Sequence, residues 1–162
     1  MLCISTKGRY ATRILTLLAD LPADTTLSKH EIADTLALTP GYVQQLMTPL
    51  QTAGLTSSVR GKQGGFRLAR SPESITVAEA LRIMEGEVRL APCHEESGCA
   101  LVATCPTRPM WLEAATLFES YFRQITIADL AERAKTLADA ADPLAIARKT
   151  APASAEEKGV RA

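Results

Sequence analysis

Residues 39–70 read TPGYVQQLMTPLQTAGLTSSVRGKQGGFRLAR, and no other segment constrains the architecture as strongly. The first half has the pattern of a helix, because Thr39 is a good N-cap and Pro40 fits the first helical position, where its missing N–H costs nothing. Apolar residues at helical spacing continue this helix to about Ala53, and Pro49 predicts a kink or a break one turn before its end. The apolar stripe consists of Val43, Leu46, Met47 and Leu50, and Gly54 is the expected C-cap.

The second half of this segment predicts a β-hairpin. Residues 55–60 and 66–70 are short β-capable runs, and the turn between them, residues 61–65, is rich in glycine. Gly64 and Gly65 are expected to allow a positive φ and a close approach to a sugar–phosphate wall. A helix followed by such a hairpin is the arrangement of a recognition helix and its wing.

Two further helices are predicted before Thr39. Residues 8–19 carry apolar residues at helical spacing, and Ser28 with Glu31 forms a capping-box pair that starts a short helix through about Leu36. The order of helix, short helix, tight turn, helix and hairpin is that of a winged helix-turn-helix domain. In such a domain one helix fits the major groove of DNA, about 12 Å wide, and the hairpin carries cations to the adjacent backbone.

The side chains expected to contact DNA lie at the start of the third helix and on the hairpin. Glutamine can bond adenine bidentately, hydroxyl groups can bond phosphate, and cations neutralise phosphate charge. Tyr42 could equally pack on the second helix, Arg9 and Arg13 could lie in solvent, and a winged helix used only for protein contacts is the alternative. The predicted contact residues are Thr39, Gly41, Tyr42, Gln44, Gln45, Arg60, Lys62, Gln63, Gly64 and Arg67.

After the hairpin the sequence predicts one more short helix and then a loop. Thr76 and Glu79 form another capping-box pair, which starts a helix through about Glu85. Residues 87–109 contain three cysteines, three prolines and one glycine, and they predict a loop without regular structure.

A long helix is predicted from about Met110 to about Ala141, and a second helix start at Thr126 and Asp129 predicts a kink or a break within it.

The first half of this helix has more apolar residues than one buried face can hold. One side is expected to pack on the winged domain and the other on the same helix of a second subunit, with an ordinary core helix of a monomer as the alternative. A twofold dimer would place two recognition helices about 34 Å apart and predicts a pseudo-palindromic operator in double-stranded DNA. The apolar residues are Trp111, Leu112, Ala115, Leu117, Phe118, Tyr121, Phe122 and Ile125.

Charge and composition restrict the class of protein. The net charge is zero, but residues 1–72 hold eight basic and four acidic residues, whereas residues 73–162 hold ten basic and fourteen acidic residues. Phosphate contact is therefore expected in the first half.

No apolar run approaches the roughly 20 residues of a membrane span. Basic residues near the start predict no signal peptide, so the chain is expected in the cytoplasm. Thiols stay reduced there, so the four cysteines indicate metal or redox chemistry.

Several short motifs link the chain to a known family. They are Lys7-Gly8-Arg9-Tyr10-Ala11, Ala53-Gly54-Leu55, Arg60-Gly61 with GGFRLAR at residues 64–70, Ile75-Thr76, and Ile125-Thr126-Ile127-Ala128-Asp129-Leu130. With these motifs the chain resembles the Rrf2 family of winged helix-turn-helix transcription regulators, which includes iron–sulfur cluster regulators and nitric-oxide sensors. The resemblance implies a mainly α fold with a small β-hairpin wing and a long C-terminal dimerisation helix.

Cys93, Cys99 and Cys105 form a Cys-x5-Cys-x5-Cys array in the predicted loop. Three thiolates in one loop can wrap a single iron–sulfur cluster, because such clusters favour thiolate ligands. The spacing is similar to the cluster-binding arrays of the iron–sulfur and nitric-oxide sensors of the family. Zinc is a weaker interpretation because structural zinc sites usually show closer cysteine pairs. The main alternative is a cluster-free switch in which the same thiols form a disulfide.

The resemblance leaves open the fourth ligand and the cluster type, [2Fe–2S] or [4Fe–4S]. In one branch of the family a histidine two residues after the third cysteine is a ligand, whereas this chain has Thr107 there. In another branch an acidic residue of the partner subunit serves, whereas Arg9 stands at the matching position. The remaining candidates are His94, Glu95, Glu96, Cys3, an exogenous small thiol and water.

The sequence as a whole predicts four segments and one function. The function is DNA-binding regulation of transcription by a homodimer that senses iron–sulfur status, redox state or nitric oxide. Repression and activation both stay open. An enzyme is not expected, because the sequence has no nucleophile–base constellation, phosphate loop or zinc hydrolase motif. The segments are a winged helix-turn-helix domain (residues 1–86), a cysteine loop (87–109), a dimerisation helix (110–142) and a flexible tail (143–162).

Overall fold

The computed structural model describes residues 4–22, 25–61, 64–91 and 99–141. Within these ranges the chain is mainly helical, with one antiparallel hairpin, and no helix is both long and apolar enough to cross a lipid bilayer. Residues up to Ala131 form one compact unit, and the rest of the last helix belongs to a second unit. The elements are α1 (Thr6–Ala19), α2 (Lys29–Leu36), α3 (Pro40–Thr52), β1 (Thr56–Val59), β2 (Gly65–Leu68), α4 (Val77–Glu85), α5 (Arg108–Arg123) and α6 (Ile127–Ala141).

The core forms where α1, α2 and α3 meet the hairpin and α4. The apolar stripe predicted for α3 is confirmed, because all four of its residues are buried. Burial of these side chains removes apolar surface from water, which fixes the inner face of α3 and leaves its other face in solvent. The largest fully buried side chains include Ile14, Leu15, Ile32, Leu46, Met47, Leu50, Leu55, Ile75 and Ile127.

The capping box predicted for α2 is confirmed. The Glu31 N–H donates to the Ser28 hydroxyl at 3.2 Å, and the Ser28 N–H donates to the Glu31 carboxylate at 2.8 Å. These bonds satisfy two backbone donors that the helix itself cannot pair. The backbone bond from Ser28, together with its hydroxyl, lowers the pKa of Glu31.

The turn between α2 and α3 depends on a residue that carries no sequence signal. Ala37 caps α2 in the left-handed conformation, with φ 53° and ψ 48°. A left-handed alanine is strained because its Cβ crowds the following carbonyl, at about 1–2 kcal/mol. The Leu38 N–H donates to Ala33 O at 2.8 Å, which satisfies a carbonyl at the helix end and sets the angle between the two helices.

Pro49 does not break α3. The helix runs without interruption to Thr52, so the predicted break is wrong. Pro49 has no N–H and therefore lacks one helical hydrogen bond, but its own carbonyl still accepts from the Ala53 N–H at 3.0 Å. Gly54 follows with φ 72°, as expected for a residue that ends a helix.

The hairpin pairs antiparallel, with Thr56 opposite Leu68 and Val59 opposite Gly65. The expectation of a positive φ at the two consecutive glycines is wrong, because Gly61 is the turn residue with that conformation, at 125°. The two glycines are needed for close packing instead. A Cβ on Gly65 would lie 2.5 Å from the Leu27 carbonyl, and one on Gly64 would clash with the Val59 carbonyl.

This close packing attaches the hairpin to the segment before α2. The Leu27 N–H donates to Phe66 O at 3.0 Å, and the Phe66 N–H donates to Leu27 O at 2.7 Å. The pair forms an isolated antiparallel bridge on the free edge of β2. The wing is therefore fixed to the helix-turn-helix by its backbone.

The capping box predicted at the start of α4 is only half formed. The Thr76 hydroxyl accepts from the Glu79 N–H at 3.2 Å, as predicted. The Glu79 carboxylate, however, binds the Arg70 guanidinium at 2.7 Å instead of returning to the cap. This ion pair ties the end of the wing segment to α4.

The long helix predicted after the cysteine loop is two helices, α5 and α6, with the expected break between them. The Asp129 N–H donates to the Thr126 hydroxyl at 3.1 Å, and the Thr126 N–H donates to the Asp129 carboxylate at 2.8 Å. The Ile127 N–H also donates to Ile75 O at 2.9 Å, and the Val77 N–H donates to Ile125 O at 2.9 Å. These bonds hold the starts of α4 and α6 side by side.

Candidate DNA-binding and cysteine sites

One face of α3 is exposed opposite its buried stripe. Gly41, Gln44 and Gln45 are exposed, and the N-cap Thr39 is exposed as well. The Thr39 hydroxyl accepts from the Tyr42 N–H at 3.3 Å. Spacing of three and four residues puts Gly41, Gln44 and Gln45 on one side of the helix, together with Thr48, which is not among the contacts predicted from the sequence. This face carries polar groups that can donate and accept hydrogen bonds.

Tyr42 packs on Tyr10 of α1. Its ring meets the Tyr10 ring edge to face, with centroids 6.4 Å apart. The Arg13 guanidinium lies 5.1 Å from the centroid of the Tyr10 ring, which is a cation–π distance. The stack therefore connects a cation of α1 with the first turn of α3. The sequence carries no signal of this contact, because the two tyrosines lie 32 positions apart.

The wing presents cations on its outer side. Arg60 and Arg67 are exposed, whereas the side chain of Phe66 in β2 belongs to the core and is 8% exposed. Gly64 lies at the start of the returning strand, and its N–H donates to Gly61 O at 3.0 Å. Lys62 and Gln63 were also predicted to contact DNA, and they lie outside the described residues.

The segment before α5 holds two of the predicted metal ligands. Cys99 is exposed, and its sulfur accepts from the Leu101 N–H at 3.4 Å. Cys105 is half-buried, and its sulfur lies 3.2 Å from the Thr107 hydroxyl oxygen. Turns between these residues are held by backbone bonds from Val102 to Cys99 and from Thr104 to Leu101, at 3.2 and 3.0 Å.

Hydrogen bonds lower the pKa of the Cys105 thiol. The largest cause is the Thr107 hydroxyl, followed by the backbone N–H groups of Thr107 and Arg108 at the start of α5. Each donor stabilises the thiolate more than the thiol. Thr107 stands where one branch of the family has a histidine ligand, and here it binds the neighbouring sulfur instead.

The other candidate ligands lie outside the described ranges. These are Cys93, which belongs to the array, and the proposed fourth ligands Cys3, His94, Glu95 and Glu96. Among the residues that the structure describes, no three histidine, cysteine or acidic side chains are close enough together to hold a metal ion. The described loop therefore supplies two thiols, and their soft, hydrogen-bonded sulfurs suit an iron–sulfur centre.

Two faces of α5 are apolar. Ala115, Phe118 and Phe122 face α4, with the two phenylalanine rings 4.9 Å apart. On another face Leu117 is 70% exposed and Tyr121 is 60% exposed. The sequence predicted that this helix has too many apolar residues for one buried face, and the exposure of these two side chains agrees with that reasoning.

Comparisons with known proteins agree with this architecture. The profile of the family described as "Rrf2: Iron-dependent Transcriptional regulator" matches residues 4–133. The chain is 34% identical over 128 residues to the HTH-type transcriptional regulator CymR of Bacillus subtilis, a match that spans 79% of this chain and 88% of that protein. These relatives are transcription regulators and not enzymes.

Solved structures give the same result. The structure of CymR, described as the global cysteine regulator of B. subtilis, matches with a TM-score of 0.71 and 34% identity, over 82% of this chain and 98% of that one. The structure of T. potens IscR matches with a TM-score of 0.67 and 32% identity, over 82% and 88%. By sequence and by fold the chain belongs to the Rrf2 family of transcription regulators.

Proposed function

We propose that this regulator reads DNA with the exposed face of α3 and grips the backbone with the wing. The observation that supports this best is the separation of α3 into a buried apolar face and a polar face that carries Gln44 and Gln45. Glutamine is a typical partner of adenine in the major groove. Arg60 and Arg67 lie on the outer side of the wing, where they would neutralise phosphates. The remaining proposed contacts are Thr39, Gly41, Tyr42, Lys62, Gln63 and Gly64.

Selection of bound sequences from a random duplex library tests this proposal. The selected operator should be pseudo-palindromic, with half-sites separated by about one turn of DNA. Gln44→Ala should cost about 1–3 kcal/mol on the selected operator and little on random DNA. Arg60→Gln should weaken binding to both the selected operator and random DNA. It should also reduce the slope of log binding constant against log salt concentration by about one. Arg133→Gln, an exposed position of α6, is the control. Equal binding by all variants would contradict the proposal.

We further propose that Cys93, Cys99 and Cys105 hold an iron–sulfur cluster. The two described thiols fit this group, because both sulfurs interact with hydrogen-bond donors and neither is enclosed by the core. When bound, the cluster would supply reactivity toward oxidants or nitric oxide. The residues of the chain would supply the thiolates, the hydrogen bonds that tune them and the loop that connects them to α5. The fourth ligand, with His94 as one candidate, stays open.

The absorption spectrum of anaerobically purified, full-length protein tests the cluster. Charge-transfer bands between about 300 and 500 nm are expected, and they should disappear in Cys99→Ser and Cys105→Ser variants that retain the native circular dichroism. Thr104→Ala, which changes an exposed side chain of the same loop, should keep the bands. A colourless protein after careful reconstitution would overturn the cluster and favour the second candidate.

That second candidate is a cluster-free thiol switch. It is favoured by the exposure of Cys99, since an accessible thiol can react with an oxidant. Oxidation by peroxide would convert one thiolate to a sulfenic acid, which a second thiol would attack with loss of water to form a disulfide. Mass spectrometry of the colourless protein, before and after peroxide, would show the loss of two hydrogens if this occurs.

The cysteine loop lies in the sequence between α4 and α5, and we propose that its state changes the DNA affinity of a homodimer. Coupling of about 1–3 kcal/mol is typical of such linkage and changes affinity by about 5–150-fold. Operator binding by the reconstituted and the apo protein should therefore differ at matched salt. Equal affinities would exclude a switch and leave DNA binding intact.

A further inference from the structure

The carboxylate of Glu85 joins the end of α4 to the start of α1, and the function proposed above does not use this contact. One of its oxygens accepts from the Ser5 hydroxyl at 2.5 Å and from the Gly8 N–H at 3.1 Å. Ser5 is the N-cap of α1, and its own oxygen accepts from the Lys7 N–H at 3.1 Å. A residue 80 positions further along the chain therefore completes the cap of this helix.

The first turn of α1 contains no acidic residue of its own. The N–H groups of a first turn have no partners within the helix and carry a partial positive charge, which a carboxylate satisfies. Gly8 allows the Glu85 carboxylate to approach. A Cβ at this position would lie 2.5 Å from the carboxylate oxygen, and it would crowd Ile4 and Leu81 at 3.0 and 3.1 Å.

The two ends of α4 are held in different ways. At its start, the buried Val77 donates its N–H to Ile125 O at 2.9 Å, which fixes this end to the segment between α5 and α6. At its end, Glu85 is exposed, and Gly86 follows with φ 80° and leads into the cysteine loop. Cys93 comes only eight residues after Glu85. A rearrangement of the loop would therefore act first on the Glu85 end of α4.

On the other side of the contact, α1 supports the helix proposed to read DNA. Tyr10 lies two residues after Gly8, and its ring meets that of Tyr42 edge to face with centroids 6.4 Å apart. Tyr42 lies in the first turn of α3. A shift in the first turn of α1 would thus move Tyr10 against the end of α3 that is expected to enter the major groove.

We propose that Glu85 is a positioning residue that transmits the state of the cysteine loop to α3. While its bonds to Ser5 and Gly8 are intact, the first turn of α1 is fixed and α3 is placed to bind the operator. When the loop rearranges and these bonds are lost, operator affinity falls. This inference rests on the loop switch proposed above, and it adds the residue through which that switch acts.

Operator affinities of the full-length protein in its two loop states test the proposal. The states are the cluster-loaded and the apo protein, or the reduced and the peroxide-treated protein if it is colourless. In the unaltered protein the two affinities should differ by about 5–150-fold. In Glu85→Ala both should lie near the weaker value and differ by less than about twofold, because neither state can hold α1 through this contact.

Two further variants separate the hydrogen bonds from the charge. Glu85→Gln loses the charge but keeps an oxygen acceptor for both donors, so it should retain most of the difference between the two states. Glu132→Ala removes a carboxylate from an exposed position of α6 and should retain all of it. A loss in Glu132→Ala as large as that in Glu85→Ala would assign the effect to net charge and overturn the proposal.

Gly8→Ala tests the same contact without changing the carboxylate, because the added Cβ would displace its oxygen. It too should reduce the difference to less than about twofold. Each comparison is made within one variant, so a change in overall stability affects both states. If Glu85→Ala keeps the full difference of the unaltered protein, the proposal is wrong and the loop switch still holds. Equal affinities in the unaltered protein would instead contradict the loop switch, and with it any transmission through Glu85.

Discussion

At the scale of single residues, the hydroxyl of Thr107 has a direct effect on the pKa of the Cys105 thiol. Its oxygen lies 3.2 Å from the Cys105 sulfur, and this contact lowers the pKa of the thiol more than any other. Thr107→Val should therefore raise the pKa of that thiol, so that less thiolate is present at a given pH. The measurement is the pH dependence of iodoacetamide alkylation of the apo protein, with Cys105 as its sole cysteine.

Thr107→Ser is the matched control, since it keeps the hydroxyl and should keep the pH midpoint of alkylation. A valine variant with an unchanged midpoint would mean that the backbone donors at the start of α5 act alone. The sequence could not predict this contact, because a threonine two residues after a cysteine has many possible partners. Only the turn that precedes α5 brings the two side chains together.

Ala37 provides a second test at this scale. Because its φ is 53°, Ala37→Gly should relieve strain and raise the free energy of unfolding by about 1 kcal/mol. Ala53→Gly is the control, since Ala53 caps α3 with φ −80° and glycine would gain no such relief there. Chemical denaturation of both variants measures the difference. Destabilisation of similar size in both would show that Ala37 is unstrained.

At the scale of elements, local signals predicted most helices and misjudged the contacts between them. Ser28 with Glu31 and Thr126 with Asp129 form the caps that their spacing indicates, because such caps need only residues close in sequence. Glu79 had the same spacing from Thr76, but its carboxylate binds Arg70. A cap signal cannot reveal a competing partner from another segment.

The cap of α2 gives a prediction at this scale. Ser28→Ala removes the acceptor for the Glu31 N–H, and it should lower the free energy of unfolding by about 1 kcal/mol at pH 7. Ser71→Ala is the control, because Ser71 precedes a short 3-10 turn and makes no capping bond with its side chain. Equal unfolding midpoints in guanidinium chloride for both variants would contradict a role for this cap.

The same element has a defined pH dependence. Because the pKa of Glu31 is lowered by folding, its contribution to stability is present above the ordinary glutamate pKa and is lost as the pH falls through the lowered value. Glu31→Gln keeps a capping side chain but cannot titrate. The stability difference between this variant and the unaltered protein should therefore shrink on acidification.

At the scale of the whole molecule, the sequence predicted the order of helices and strands in the winged domain, whereas the homodimer is still a proposal. Gly64 and Gly65 show why the domain was easier to predict than its details. Their presence indicated the wing. Their role is to allow close backbone contact with Val59 and Leu27, and the local sequence pattern does not predict that contact. The cysteine spacing likewise indicated a cluster without fixing where the described sulfurs lie.

The proposed homodimer depends on the outer face of α5. Met110, Leu117 and Tyr121 lie at intervals of seven and four residues, which puts them on one side of the helix, and each is at least 49% exposed. An exposed apolar stripe of this kind is typical of a surface that a second subunit covers. In a twofold interface each stripe would meet its own copy.

Leu117→Glu tests this assembly, because it would bury two like charges close to the twofold axis and weaken the dimer by at least about 100-fold. Thr116→Glu adds the same charge one residue away on the face toward α4, and it should leave the dimer intact. Sedimentation equilibrium measures both. Operator affinity should fall with Leu117→Glu as well, because separate protomers no longer bind two half-sites as a unit. A dimer of unchanged stability would place the subunit contact on another surface and leave the apolar stripe of α5 to a different partner.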